Sequence, residues 1–93
     1  MKEEETQKTI DPHTVAKLCE AQIKAKITER FFVADDELVL LLEDQDGVYL
    51  SQQEPNTLCC LVVGKENGFL YLVTAEITAG GTQLTNLKSD IVS

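Results

Sequence analysis

The sequence predicts an α+β fold: one N-terminal helix packed on a curled antiparallel sheet of about five or six strands in a meander. Three observations lead there. Asp11-Pro12 opens a stretch whose apolar residues recur at helical spacing. Beyond it lie short apolar runs at 38–42, 58–63 and 69–73, too short for long helices and rich in Leu and Val. Asp46-Gly47 and Asn67-Gly68 punctuate those runs as turn dipeptides. With 93 residues and 43% hydrophobic content, the chain is sized for one domain with a packed core.

In chain order, residues 1–10 read as a flexible charged tail and residues 11–87 as the domain. Asp11 is the expected N-cap, with Pro12 at the first helical position. The helix is expected to run to about Lys26 or Thr28, with Val15, Leu18, Cys19, Ile23 and Ile27 on its apolar face. Ile27, Phe31 and Val33 also fit strand spacing, so a strand is expected over 29–33. A turn at 34–37 leads to a strand at 38–43. Asp44 to Gly47 then forms a hairpin turn, and a short strand returns at 48–51. After a loop at 52–56, strands at 57–63 and 69–77 flank the turn 64–68. A break at Ala79-Gly80-Gly81 precedes a polar edge strand at 82–87, and residues 88–93 are expected to fray.

Charge narrows the function. The net charge is -8 and the pI about 4.4. Such a chain lacks the basic groups that neutralise nucleic-acid phosphate or anionic membranes, so neither is an expected partner. Residues 31–64 contain no Lys or Arg and seven acids: Asp35, Asp36, Glu37, Glu43, Asp44, Asp46 and Glu54. They read as solvated turns around buried strands that together form an acidic edge attractive to basic surfaces. No apolar run is long enough to span a membrane, and the acidic start does not resemble a signal peptide. With three cysteines (Cys19, Cys59, Cys60), the count is odd, which points to buried thiols in a reducing compartment, the cytoplasm.

Catalytic constellations are sparse. Placing Gly47 at position 6 of a calcium loop puts Leu42 at position 1 and Gln53 at position 12, and neither ligates as required. His13 is the one histidine, and no CxxC spacing accompanies it, so no metal site is expected. Cys59 and Cys60 lie within an apolar run, where core packing outweighs a Cys–His pair. Gly80-Gly81 matches no phosphate-binding spacing. No cofactor and no enzymatic activity are expected.

Strands apolar on both faces need cover on both, and one short helix covers one face. The other face is then covered by curling into a partial barrel, by the tail or by another chain, and a second subunit in a homodimer is the simplest of these. The leading expectation is a non-enzymatic protein-interaction module (adaptor, regulatory subunit or inhibitor) that meets a basic partner through Asp35, Asp36, Glu37, Asp44, Asp46 and Tyr49. One alternative is a small-molecule-binding domain or weak enzyme with an apolar pocket lined by Leu18, Ile23, Phe31, Leu40, Cys60 and Phe69. Others are a nucleic-acid mimic that blocks a nucleic-acid-binding protein, and a structural subunit of a larger assembly.

Overall fold

A computed structural model describes residues 11–44, 46–54, 56–78 and 83–92. Two consecutive helices, α1 (Pro12–Leu18) and α2 (Glu20–Phe31), precede an antiparallel sheet of β1 (Leu38–Leu40), β2 (Val48–Leu50), β3 (Thr57–Gly64), β4 (Leu70–Ile77) and β5 (Leu84–Ile91). The architecture is α+β, with the helices N-terminal to the sheet. The expectations for residues 1–10 and for Ala79-Gly80-Gly81 fall outside the described residues.

The helix start follows the sequence. The Asp11 carboxylate accepts from the His13 backbone N–H at 3.2 Å and from the Thr14 hydroxyl at 2.7 Å, and Pro12 fills the first turn, where no N–H is needed. The chain then kinks at Cys19, with Cys19 N–H donating to Val15 O and Ile23 N–H donating to Cys19 O. Cys19 takes the buried position there, which leaves Leu18, expected on the apolar face, 65% exposed. Glu20 and Lys24 close an i,i+4 ion pair at 2.9 Å on the outer face.

The strand expected over 29–33 does not form. Helix α2 continues to Phe31, because Ile23, Ile27 and Phe31 succeed one another at i,i+4 on one face. The Phe31 ring then packs 5.2 Å from the ring of Tyr71. Phe32 ends the helix in the left-handed region at φ 60°, its N–H donating to Thr28 O.

The hairpin expected at Asp44 to Gly47 is also absent. Strands β1 and β2 both pair antiparallel with β3, Leu38 opposite Gly64, Leu40 opposite Val62, Val48 opposite Cys60 and Leu50 opposite Leu58. They are two lengths of one edge strand, interrupted by an outward loop. Leu41 N–H donates to Leu61 O, and Leu61 N–H donates to Gly47 O, so the loop leaves and rejoins β3 at one residue. Gly47 has no positive φ. It is required for close approach, since a Cβ there would collide with the Leu41 carbonyl.

The turn at 64–68 does form a hairpin between β3 and β4, with Gly68 at φ 72° and Gly64 N–H donating to Phe69 O. Strand β5 extends through Ile91, past the end expected at Leu87. Ser89, within the stretch expected to fray, is 1% exposed and pairs with Val73. Asn86 at φ 53° lies in the register shift between β4 and β5, a bulge that asparagine tolerates.

Alternation along the strands sorts the sheet into two faces. Leu58, Cys60 and Val62 of β3, with Tyr71, Val73 and Ala75 of β4, point toward the helices and pack on Val15, Ala16, Cys19, Ile23 and Ile27. That layer is the core.

Candidate protein-interaction surface

The acids of residues 31–64 gather along the β1–β2 side of the sheet. Asp35, Asp36 and Glu37 form a single 3-10 turn immediately before β1, at the Gly64 end of β3, where Lys65 N–H donates to Glu37 O. Glu43, Asp44 and Asp46 sit in the outward loop at mid-edge, beside Leu61. Glu54 lies at the far end and accepts from the Thr57 hydroxyl at 3.2 Å. Asp35, Asp36, Glu43, Asp44, Asp46 and Glu54 are exposed. The loop is braced internally: the Asp44 carboxylate accepts from Asp46 N–H, and Asp44 O accepts from Gly47 N–H, each at 3.0 Å. The edge is therefore a line of solvated carboxylates on a defined backbone.

Tyr49 belongs to a different surface. It projects from β2 onto the sheet face that points away from the helices, opposite Cys59 and 42% exposed. Burial raises its pKa, the Cys59 side chain adds to the rise, and the nearby negative charge of Asp46 contributes a smaller share. Tyr49 thus marks the seam between the acidic edge and the outer sheet face.

That outer face is ordered in rows across the strands. One row is aliphatic throughout: Val39, Val63 and Leu70, continued by Val92, whose N–H donates to Leu70 O at 2.7 Å. The next carries Leu61, Leu72 and Asp90. The third carries Tyr49, Cys59, Thr74 and Lys88, and the fourth Thr57, Glu76 and Thr85. Among the described residues, no helix packs on this face. Two further aromatics are exposed away from this face: Phe32, 91% exposed at the end of α2, and Phe69, which packs edge-on against the core-facing Tyr71 at 6.3 Å.

The thiols are chemically quiet. Burial raises all three, and Cys60 is pushed up to about 12, mainly by burial and then by its cysteine neighbours. Neutral thiols are poor nucleophiles. His13 stands in the helix layer, 3.8 Å from Asp11, while Cys59 faces the other way. Among the described residues, no group of His, Cys, Asp and Glu is arranged to hold a metal ion.

The six residues proposed to line an apolar pocket do not converge on one. Ile23, Leu40 and Cys60 are interlocked in the core, Leu18 and Phe69 are exposed, and Phe31 caps the core against Tyr71. The described depressions lie on the outer surface. One, of about 420 Å³, is polar and is bounded by Glu54, Thr57, Thr74, Glu76 and Lys88 among others. Two features of the surface carry no signal in the sequence: Lys88 and Asp90 fall in the stretch expected to fray but lie in β5, and Phe32 gives no sign of its near-complete exposure. No protein-family model, curated protein or solved structure matches this chain.

Proposed function

We propose that the protein is a non-enzymatic protein-interaction module. Its acidic edge, Asp35, Asp36, Glu37, Asp44 and Asp46, steers and selects a partner with a basic surface, and Tyr49 anchors the seam beside it. The outer sheet face is closed by a further polypeptide chain. The observation that carries this reading is the adjacency of the two surfaces: a line of exposed carboxylates borders an aliphatic sheet face on which no described helix packs. Apolar surface of this kind marks interfaces, and a charged rim raises association rates and rejects partners of like charge. The buried, protonated thiols suit a reducing compartment, so the cytoplasm is the proposed location.

Charge reversal tests it. The chain carrying Asp35→Lys, Asp36→Lys and Asp46→Lys should capture roughly tenfold less of its basic partners from a cell lysate than the wild type, at matched fold content by circular dichroism. The wild-type capture should itself weaken as salt rises. Equal capture by the two chains, independent of salt, would overturn the proposal.

A further inference from the structure

We propose that the chain covering the outer sheet face is a second copy of this protein, related by a two-fold axis parallel to the strands and lying between β3 and β4. This rests on the reading of that face as a protein-binding surface and names its occupant. The argument comes from the rows. Rotation about such an axis keeps each row at its own level and exchanges left for right. Strand β3 of one copy then lies over β4 of the other, and β5 lies over the β1–β2 edge.

The consequences match residue by residue. Val63 faces Leu70 and Leu61 faces Leu72, each contact occurring twice. Val92 faces Val39, so the aliphatic row closes on itself. In the third row, Lys88 of one copy comes over Tyr49 of the other. Lys88 is the one basic residue that the described strands place on this face, and it is exposed. Exposed acids flank the strand it meets: Asp46 lies in the loop just before β2, and Glu54 follows β2 and accepts from the Thr57 hydroxyl. Asp90, the acid that β5 brings to this face, already has a cationic neighbour in Arg30 at 3.9 Å. An axis across the strands through the middle of the rows would instead lay the aliphatic row on the polar row of Thr57 and Glu76. The parallel axis therefore lays the aliphatic row on itself and sets Lys88 against Tyr49, while Asp90, held near Arg30, comes over Leu41. Two sheets packed this way form a sandwich about 10 Å deep, aligned to within about 30°.

The test is solution mass by light scattering after size exclusion, followed by a charge swap. The wild-type chain should run at twice its monomer mass of 10.3 kDa and stay there in high salt, because the centre of the interface is aliphatic. Lys88→Glu should weaken the dimer about tenfold or more, since it sets like charges against each other at two symmetric places. Adding Asp46→Lys to Lys88→Glu should restore the dimer. A wild-type monomer would overturn the proposal, as would a dimer indifferent to Lys88→Glu. So would a Lys88→Glu defect that Asp46→Lys fails to repair. The pair Asp35→Lys and Asp36→Lys, away from the third row, should leave the mass unchanged while partner capture falls. The dimer and the acidic-edge reading can thus fail separately.

Discussion

Burial sets the chemistry of Cys60. Its thiol points into the core between Val48 and Val73, and loss of water pushes its pKa up to about 12, from the ordinary 9.0. The folded state therefore holds this proton more tightly than the unfolded chain does. The stabilising contribution is complete below the unfolded value and is lost as pH rises from 9.0 toward about 12. Cys19, Cys59 and Tyr49 are raised too and add to the same slope. The midpoint of urea unfolding should fall between about pH 8 and about pH 10.5, and fall less steeply in Cys60→Ala. The cavity left by alanine lowers stability at every pH, so the slope is the quantity to compare. Equal slopes would show that another group governs alkaline unfolding. The cysteine's place in a core-facing strand position is legible in the sequence as a mid-run apolar residue. Which of Cys59 and Cys60 faces the helices is not, because adjacent strand residues differ only in register.

At the scale of elements, the β1–β2 edge departs most from expectation, and Gly47 is the reason it closes. Two apolar segments around Asp46-Gly47 match the pattern of a hairpin, and nothing local distinguishes that from one edge strand with an outward loop. The difference lies in who offers hydrogen bonds. The free edge of β3 is long enough to take both segments, and Leu61 bonds Leu41 on one side of the loop and Gly47 on the other. Gly47→Ala would press a methyl group into the Leu41 backbone and should cost about 1–3 kcal/mol, measured by equilibrium unfolding in urea. A loss under about 0.5 kcal/mol would mean the loop moves aside freely. The end of α2 carries a related lesson. Ile27, Phe31 and Val33 fit a strand face while Ile23, Ile27 and Phe31 fit a helix face, and the contact of Phe31 with Tyr71 accompanies the helix.

At the scale of the molecule, the acids of residues 31–64 line one edge of the sheet. The net charge of -8 is unevenly placed, since β1, β2 and their loops carry seven acids and no base. Mutual repulsion among them opposes the compact state and is screened by salt. Asp35→Asn with Asp36→Asn should therefore raise the melting temperature at about 10 mM salt, by less than about 1 kcal/mol in stability, and the gain should shrink at about 500 mM. A gain of equal size at both salt concentrations would assign it to the 3-10 turn itself rather than to repulsion. The acidic edge was legible as a long stretch without Lys or Arg. The place of Lys88 in the same row as Tyr49 was not, because Lys88 lies far along the chain and reaches that row through the pairing of β5 with β4.

By itself the sequence determined the fold class, the Asp11-Pro12 helix start and the turn at 64–68. These follow from local causes: a cap, a glycine at positive φ, and apolar side chains alternating onto two sides. Tertiary structure alone decided the rest. It carried α2 to Phe31, laid β1 and β2 on one edge, drew residues 88–91 into the sheet and aligned the outer rows. In each case the local pattern admits two conformations of similar energy, and distant partners choose between them: Tyr71 for the helix end, the open hydrogen bonds of β3 for the edge, and those of β4 for β5.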